Sequence, residues 1–303
     1  MNVPLATKAI PATATWRDYL ALTKPRIISL LLFTTLTAMF VAADAQHHVT
    51  PLLFVAVALG GYMAAGAANT LNMIYDRDID ERMKRTANRP TVTQTIPVRH
   101  ALAFAILLMV GSWSLLWGFA NLLTALLSMA GLAFYVVVYT MWLKRRTRHN
   151  IVIGGAAGAF PPLVGWAAVA GHLTPMAWLL FAIIFVWTPA HFWALALLIK
   201  DDYSEVGIPM LPVVRGNQVT VTQIVGYTLL TIATTLLPLA LHTTGTVYLI
   251  GAGILNAAFL YYNLKLYFKP ERPQAMAAFH FSMIYLALLF LTLAIDRSFF
   301  VHL

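Results

Sequence analysis

The chain has 303 residues, and its composition is that of a membrane protein rather than a soluble one. Hydrophobic residues make up 60% of it and charged residues only 10%, whereas a soluble globular chain is about 45–50% apolar and about 25% charged. This excludes a disordered chain, a coiled coil and a nucleic-acid-binding domain as descriptions of the whole sequence. Because there is no cysteine, disulfides, thiolate nucleophiles and Cys-ligated metals are excluded as well.

The apolar residues fall in runs long enough to cross a membrane, for which a helix needs about 20 mainly apolar residues. Nine spans are predicted, at residues 27–43, 52–75, 101–117, 122–143, 151–170, 176–199, 221–241, 247–266 and 277–295. We therefore expect an all-α integral membrane fold. Residues 1–26 are expected to form a cytoplasmic segment, and residues 27–303 a single transmembrane domain.

The basic residues predict the orientation of these spans. If the N-terminus is cytoplasmic, nineteen of the twenty Lys and Arg residues lie on the cytoplasmic side and only Arg297 lies outside, as the positive-inside rule requires. The C-terminus is then periplasmic. A bacterial inner membrane is favoured over a mitochondrial one, because no Arg- and Ser-rich presequence precedes the first span.

An acidic cluster follows the second span. Asn72, Asp76 and Asp80 are spaced four residues apart, so a continuous helix would carry them on one face. Hard oxygen ligands of this kind suit Mg²⁺, which commonly bridges to substrate phosphates. Three basic residues next to this cluster could bind the phosphate charge: Arg77, Lys84 and Arg89. A solvated juxtamembrane loop is the alternative, but several aligned ligands at the membrane edge favour a functional site.

A second acidic cluster follows the sixth span. Asp201, Asp202 and Glu205 lie beside Lys200 and could supply a second Mg²⁺ site. By itself this stretch is an ordinary loop, and the second-metal ligands stay open among the three. The two clusters follow the second span of consecutive four-span blocks, which hints at an internal duplication of helices 1–4 and 5–8. Lys144 and Arg145 follow the fourth span and are expected on the same side of the membrane, where they and Lys200 could bind the diphosphate as well.

His191 lies in the interior of the sixth span. A histidine at this depth is a candidate iron ligand or proton-transfer group. A packing histidine bonded to a neighbouring group is the alternative, and the residues alone leave both open.

Several motifs carry a family resemblance. The Asn72–Asp76–Asp80 spacing, with a second acidic motif after span six, resembles the UbiA superfamily of intramembrane prenyltransferases. Within it, the chain is similar to the protohaem IX farnesyltransferases (haem O synthases) over about residues 20–300. The most specific matching segments are Thr188-Pro189-x-His191-Phe192-Trp193 and Asp202-Tyr203-x-x-x-Gly207-Ile208-Pro209.

The resemblance implies a UbiA-like bundle of about nine helices enclosing an intramembrane chamber. It implies transfer of a farnesyl group from farnesyl diphosphate to a vinyl group of haem B, with Mg²⁺ as the metal. Partners would be these two substrates and the lipid bilayer, together with a haem A synthase or a terminal oxidase; no nucleic acid is expected. Asn72, Asp76, Asp80 and Asp202 would act in catalysis. Tyr139 would stabilise the allylic cation, and His191 and Trp193 would contact the haem.

Two other functions compete with this one. A UbiA-type enzyme could prenylate a different aromatic acceptor, such as a hydroxybenzoate or a chlorin. A membrane transporter would need ionisable residues near the middle of the bilayer, whereas the acidic clusters here lie at helix ends.

Overall fold

The computed structural model of the chain describes residues 14–44 and 46–300, and every regular element in these ranges is helical. Part of the predicted N-terminal segment, including Lys8, lies outside the described residues, as does the C-terminal Leu303. In chain order the helices are α1 (Trp16–Thr23), α2 (Pro25–Ala42), α3 (Pro51–Tyr75), α4 (Arg77–Asp80), α5 (Val98–Phe119), α6 (Leu122–Ala133, continued by a π-helix over Phe134–Leu143), α7 (Asn150–Ala170), α8 (Pro175–Leu198), α9 (Lys200–Glu205), α10 (Leu211–Ala240), α11 (Thr246–Phe268) and α12 (Arg272–Phe300).

Nine of the described helices are long and apolar enough to cross a membrane, and each overlaps one predicted span. They are α2, α3, α5, α6 with its π-helical part, α7, α8, α10, α11 and α12. The predicted all-α, multi-pass membrane fold is therefore confirmed.

The helix boundaries follow from local chemistry. Pro25, Pro51 and Pro175 occupy the first turns of α2, α3 and α8, where the missing N–H would have no helical partner in any case. Gly171 ends α7 in the left-handed conformation, which glycine adopts without a steric penalty.

The predicted starts of two spanning helices differ from the structure by five residues or more. Helix α10 begins at Leu211 rather than at residue 221 and is interrupted at Gly216, whose φ is 77°. Helix α12 begins at Arg272 rather than at residue 277. In both cases the first turns carry polar or charged residues, so a hydropathy pattern locates only the apolar part of the helix. The short helices α1, α4 and α9 were not predicted for the same reason.

The packing of the first half creates an internal space. Helices α2, α3, α6 and α7 contact one another in a closed ring: α2 with α3, α3 with α6, α6 with α7, and α7 with α2. Helices α8, α10 and α11 pack beyond α7, and α12 contacts α2, α8 and α11. The ring therefore encloses a chamber whose one end meets the loops that carry the charged clusters.

Candidate active site

The most buried charge at this end of the bundle is Asp76, at the junction of α3 and α4. Its side chain has no solvent exposure, and it accepts a hydrogen bond from Lys144 Nζ at 2.5 Å and another from Arg145 at 3.3 Å. A buried carboxylate is tolerated only when it is paired and hydrogen-bonded. The loop after α6 thus brings two of the predicted phosphate-binding residues onto the predicted metal ligand.

Asn72 links Asp76 to its surroundings. Its Nδ2 donates to Asp76 Oδ2 at 2.7 Å and to Thr140 Oγ1 at 3.2 Å, while its Oδ1 accepts from Lys24 Nζ at 2.8 Å. The amide of Asn72 thus links Lys24, Asp76 and Thr140.

Lys24 is a site residue that was not predicted from the sequence. It joins α1 to α2 with a φ of 56°, a left-handed conformation that is uncommon for a residue with a Cβ. Burial lowers the pKa of its ammonium group well below the usual range, and the cations Arg89 and Lys144 lower it further. Its charge beside Pro25 was the available signal, but the contact with Asn72 spans 48 positions.

Asp80 and Asp78 each have a basic partner. Asp80, buried like Asp76, forms an ion pair with Arg89, and its backbone carbonyl accepts a hydrogen bond from the Thr86 hydroxyl at 2.9 Å. Asp78 is exposed and pairs with Arg145 at 2.7 Å. The hydrogen bond from Arg145 holds the pKa of Asp78 below its usual range.

The three predicted ligands do not lie on one uninterrupted helix. Asp76 separates α3 from α4, with φ −85° and ψ 6°, in the bridge region typical of bends and of many active-site residues. The backbone bonds from Asp76 N to Asn72 O and from Asp80 N to Asp76 O persist, at 2.9 and 2.8 Å. The i to i+4 backbone bonding that joins Asn72, Asp76 and Asp80 therefore continues through the break.

The second acidic cluster contacts the loop that follows the first. Arg82 donates to the backbone carbonyl of Glu205 at 2.6 Å. Asp201 and Glu205 are exposed and Asp202 is half-buried; within the described part of the chain, none of the three forms a salt bridge. Beneath them Tyr203 is buried, and burial raises its pKa to about 12.

Three predicted phosphate-binding residues lie outside the ion-pair cluster. Arg77 and Lys84 are exposed, and neither forms a salt bridge with any described residue. Lys200 Nζ donates to Asn217 Oδ1 at 3.2 Å. The structure thus gathers Arg89, Lys144 and Arg145 at the buried carboxylates and leaves these three at the surface.

An apolar chamber of about 340 Å³ opens next to the cluster, within the range of small-molecule pockets. Its walls come from α2, α3, α6, α7 and α8, and Asn69, Tyr135 and Tyr139 are its polar lining residues nearest the cluster. The two tyrosine rings stack with centroids 5.6 Å apart, and within the described ranges neither hydroxyl has a hydrogen-bond partner. Aromatic faces and free hydroxyls thus lie between the charges and the apolar interior.

The π-helical part of α6 carries these tyrosines. Its i to i+5 bonds include Lys144 N to Tyr139 O at 2.8 Å, and the Thr140 hydroxyl donates to Tyr135 O at 2.9 Å. π-helical turns are rare and frequently occur at functional sites. Here the wider turn keeps Tyr139 of the chamber close to Lys144 of the cluster.

The two predicted haem-binding residues do not line this chamber. His191 lies between Trp187 and Phe279, with ring centroids 4.4 and 4.9 Å away, and its Nδ1 is 2.6 Å from the Ser282 hydroxyl. Trp193 is buried edge-on against Tyr227, and its indole N–H has no partner among the described residues. His191 thus packs against α12, and Trp193 packs against α10.

The donor set at the chamber mouth fits Mg²⁺ when a diphosphate is also bound. No group of three or more His, Asp or Glu side chains close enough to hold an ion occurs in residues 14–44 and 46–300. Mg²⁺, however, commonly takes only one or two carboxylates and completes its shell with water and substrate phosphate oxygens. Asp76 and Asp80 supply such carboxylates. Their partners Lys144 and Arg89 are of residue types that also pair with phosphate oxygens, so a diphosphate could compete with the carboxylates for them.

Comparisons with known sequences identify close relatives. Over 285 residues, 94% of this chain, it is 61% identical to a protein of Thermus thermophilus named protoheme IX farnesyltransferase. It is 52% identical to a protein of the same name from Deinococcus radiodurans, with 98% of both chains covered. The chain spans 46% of the length of the Thermus relative, about half, and nearly all of the Deinococcus one.

Solved structures share the fold at low sequence identity. A digeranylgeranylglyceryl phosphate synthase structure matches with a TM-score of 0.75 at 19% identity, covering 93% of this chain and 98% of that one. A UbiA homolog from Archaeoglobus fulgidus bound to DMAPP and Mg²⁺ matches with a TM-score of 0.63 at 18% identity, covering 92% and 99%.

A family model settles the assignment. The model of the UbiA prenyltransferase family matches residues 31–292, which include all nine spanning helices in whole or in part. Together with the two sequence relatives, it confirms the resemblance that the acidic motifs indicated. The chain belongs to the UbiA prenyltransferase family.

Proposed function

We propose that this protein transfers the farnesyl group of farnesyl diphosphate to a vinyl group of haem B, giving haem O, in a Mg²⁺-dependent reaction. The observation that carries the proposal is the position of the Asp76, Lys144 and Arg145 cluster at the mouth of an apolar chamber. The choice of acceptor is supported by the 52% identity to the Deinococcus radiodurans protein along nearly the full length of both chains.

The basic side chains bind the diphosphate. Lys24, Arg89, Lys144 and Arg145 surround the carboxylates of Asp76, Asp78 and Asp80, so the cluster carries one more basic group than acidic groups. Charge-assisted hydrogen bonds to phosphate oxygens are short and strong. They stabilise the negative charge that develops on the diphosphate as it leaves.

The oxygen ligands hold the metal. Asn72, Asp76 and Asp80 form the first site, and Asp201, Asp202 and Glu205 are candidates for a second. When bound there, Mg²⁺ supplies Lewis-acid neutralisation of the leaving diphosphate.

The chamber holds the farnesyl chain and excludes water from the carbon that becomes cationic. The faces of Tyr135 and Tyr139 stabilise this allylic cation by cation–π interaction. The C–O bond to the diphosphate breaks, a vinyl carbon of the haem forms the new C–C bond, and water adds its hydroxyl to the neighbouring carbon and releases a proton. One haem, one farnesyl diphosphate and one water thus give haem O and diphosphate.

The haem side of the reaction is assigned to His191 and Trp193. The bond between His191 Nδ1 and Ser282 leaves Nε2 as the nitrogen for iron, a common arrangement for ligating histidines. The free indole N–H of Trp193 could donate to a polar group of the acceptor.

The proposed setting is a bacterial inner membrane with the charged cluster on the cytoplasmic side, the N-terminus cytoplasmic and the C-terminus periplasmic. A haem A synthase or a terminal oxidase is the proposed recipient of the product. The support is the gathering of the basic loops at one end of the bundle.

The experiment is prenyl transfer by purified protein in detergent. Wild-type protein, farnesyl diphosphate, Mg²⁺ and haem B should give haem O, detected by mass spectrometry of the extracted haem, and EDTA should abolish the product. Asp76→Asn should lower the rate at least ~100-fold, because it removes the charge at the centre of the cluster. Glu81→Gln is the matched control, since Glu81 is an exposed carboxylate five residues away.

The same assay tests the alternatives. If the protein prenylates a hydroxybenzoate but not haem B, the proposed acceptor is wrong and a hydroxybenzoate takes its place. Full activity of Asp76→Asn would remove the metal-site assignment, and transport of an anion into liposomes without turnover would favour a transporter.

A further inference from the structure

The chamber is lined by several small residues, but these do not play equivalent roles. A Cβ atom at Gly154 would come within 2.4 Å of the Tyr139 ring, and one at Gly155 within 3.0 Å of Thr188. These glycines allow close packing of α7 against its neighbours. At Gly158, by contrast, a Cβ atom would meet no heavy atom of a neighbouring element within 4 Å. Gly158 also lines the chamber, so a side chain at this position would occupy the space that a ligand needs.

The depth of Gly158 relates this space to the length of a prenyl chain. On α7 the chamber lining begins at Ile151 and reaches Val164. From Ile151 to Gly158 the helix rises about 10 Å, and from Gly158 to Val164 about 9 Å more. An isoprene unit adds four main-chain bonds, so it extends a chain by about 5 Å, somewhat more than the spacing of successive Cα atoms. Two isoprene units therefore reach from the mouth to Gly158, and a third lies beyond it.

We infer that Gly158 determines the length of the allylic diphosphate that this protein accepts, because the absent side chain leaves the passage for the third isoprene unit open. The inference rests on the proposed prenyl transfer and adds its substrate range. A three-unit, C15 chain extends about 5 Å past Gly158, into the deeper half of the chamber. A bulky residue at 158 closes the deeper half, so that only a two-unit, C10 chain can bind with its diphosphate at the basic cluster.

The deeper half of the chamber is bounded by residues of α6 and α7. Phe160 contacts Gly131 so closely that a Cβ atom there would lie 2.9 Å from it, and Ser128 and Val164 complete this end. Burying the third unit removes its apolar surface from water and lipid, and each buried CH₂ contributes to binding. A C15 substrate consequently binds more tightly than a C10 substrate in the wild-type protein, and this advantage disappears when the passage is blocked.

The test compares Gly158→Leu with wild-type protein on C10 and C15 allylic diphosphates, with haem B as acceptor and kcat/KM as the readout. Wild type should prefer C15. In Gly158→Leu the kcat/KM for C15 should fall at least ~tenfold relative to that for C10. Gly253→Leu is the matched control, because Gly253 is exposed on α11 and also has open space around it; its C15 to C10 ratio should equal that of wild type.

A second readout separates this inference from the proposed reaction. Stabilisation of the purified protein by each diphosphate, measured as the shift in Tm without haem, should show the same loss of C15 preference in Gly158→Leu. If wild type makes no prenylated haem but this binding preference shifts, the proposed reaction fails and the role of Gly158 stands. If Gly158→Leu does not fold, Gly158→Ala should give a smaller shift in the same direction. An unchanged ratio in the folded variants, or an equal loss for both chain lengths, overturns the inference.

Discussion

Single residues in this site carry charges in places where a lone charge would be costly. Asp76 has no exposed side-chain surface and is balanced by Lys144, Arg145 and the amide of Asn72. A buried ion of this kind is stable only as part of the whole set, since removing one partner leaves the others unpaired. Burying these charges would serve a function if Lys144 and Arg145 could leave Asp76 and pair with a bound diphosphate instead.

Lys24 provides the first prediction. Lys24→Ala should weaken binding of the prenyl diphosphate at least ~tenfold, because a charged hydrogen bond to a phosphate contributes about 1.5–3 kcal/mol. The measurement is titration of the purified protein with farnesyl diphosphate. Arg26→Ala is the control, since Arg26 is exposed two residues further on and should change the affinity less than twofold. Equal affinities of wild type and Lys24→Ala would return Lys24 to a purely structural role.

His191 provides the second prediction. His191→Ala should abolish the change in the haem absorption spectrum that binding to the wild-type protein produces, because the imidazole Nε2 is the assigned iron ligand. Ser282→Ala keeps the imidazole and removes its hydrogen bond at Nδ1, so it should weaken the spectral change without abolishing it. A lower Tm with an unaltered spectrum in His191→Ala would show that the histidine serves packing between α8 and α12.

At the scale of elements, two adjacent helices share the task of placing Tyr139. The π-helical part of α6 determines which way the residue faces, and α7 offers Gly154 as the surface on which the ring lies. Both features position the ring of Tyr139, which lies between the charged cluster and the apolar chamber.

Gly154→Ala tests this arrangement. The added methyl group would approach the Tyr139 ring to 2.4 Å, so the ring or the helix must move, and we expect prenyl transfer to fall about tenfold. Gly226→Ala adds the same methyl group at an exposed position of α10 with open space around it. Comparable activities of the two variants would mean that Tyr139 tolerates displacement and does not act on the cation.

At the scale of the whole molecule, the basic loops and the site lie at the same end of the bundle, whereas Arg297 lies at the other end. The loops after α3, α6 and α8 and the junction of α1 with α2 all meet there. The Lys and Arg residues that the positive-inside rule predicts in cytoplasmic loops are therefore also the residues that could bind a diphosphate.

The orientation can be measured directly, because the chain has no cysteine to remove. Arg148→Cys and His172→Cys place single thiols just outside the two ends of α7. In cells, a membrane-impermeant maleimide should label His172→Cys, whereas Arg148→Cys should be labelled only in inverted membrane vesicles. The opposite pattern would reverse the predicted topology.

The sequence by itself determined the class of the molecule and much of its chemistry. Nine apolar runs predict nine spanning helices because hydropathy is a local property of each segment, and the spacing of Asn72, Asp76 and Asp80 predicts a shared face because helix geometry is local too. The single domain over residues 27–303 and its internal duplication stay predictions.

Only the tertiary structure decided which charges meet and where the chamber lies. Lys144 and Asp76 are 68 positions apart, Lys24 and Asn72 are 48 apart, and His191 and Ser282 are 91 apart. No local pattern encodes such distances, so Arg77, Lys84 and Lys200 looked as suitable for phosphate as Arg89 and Lys144 did. The physical reason is that burial and pairing arise from packing between helices, and these select a few residues from the many basic ones on this membrane face.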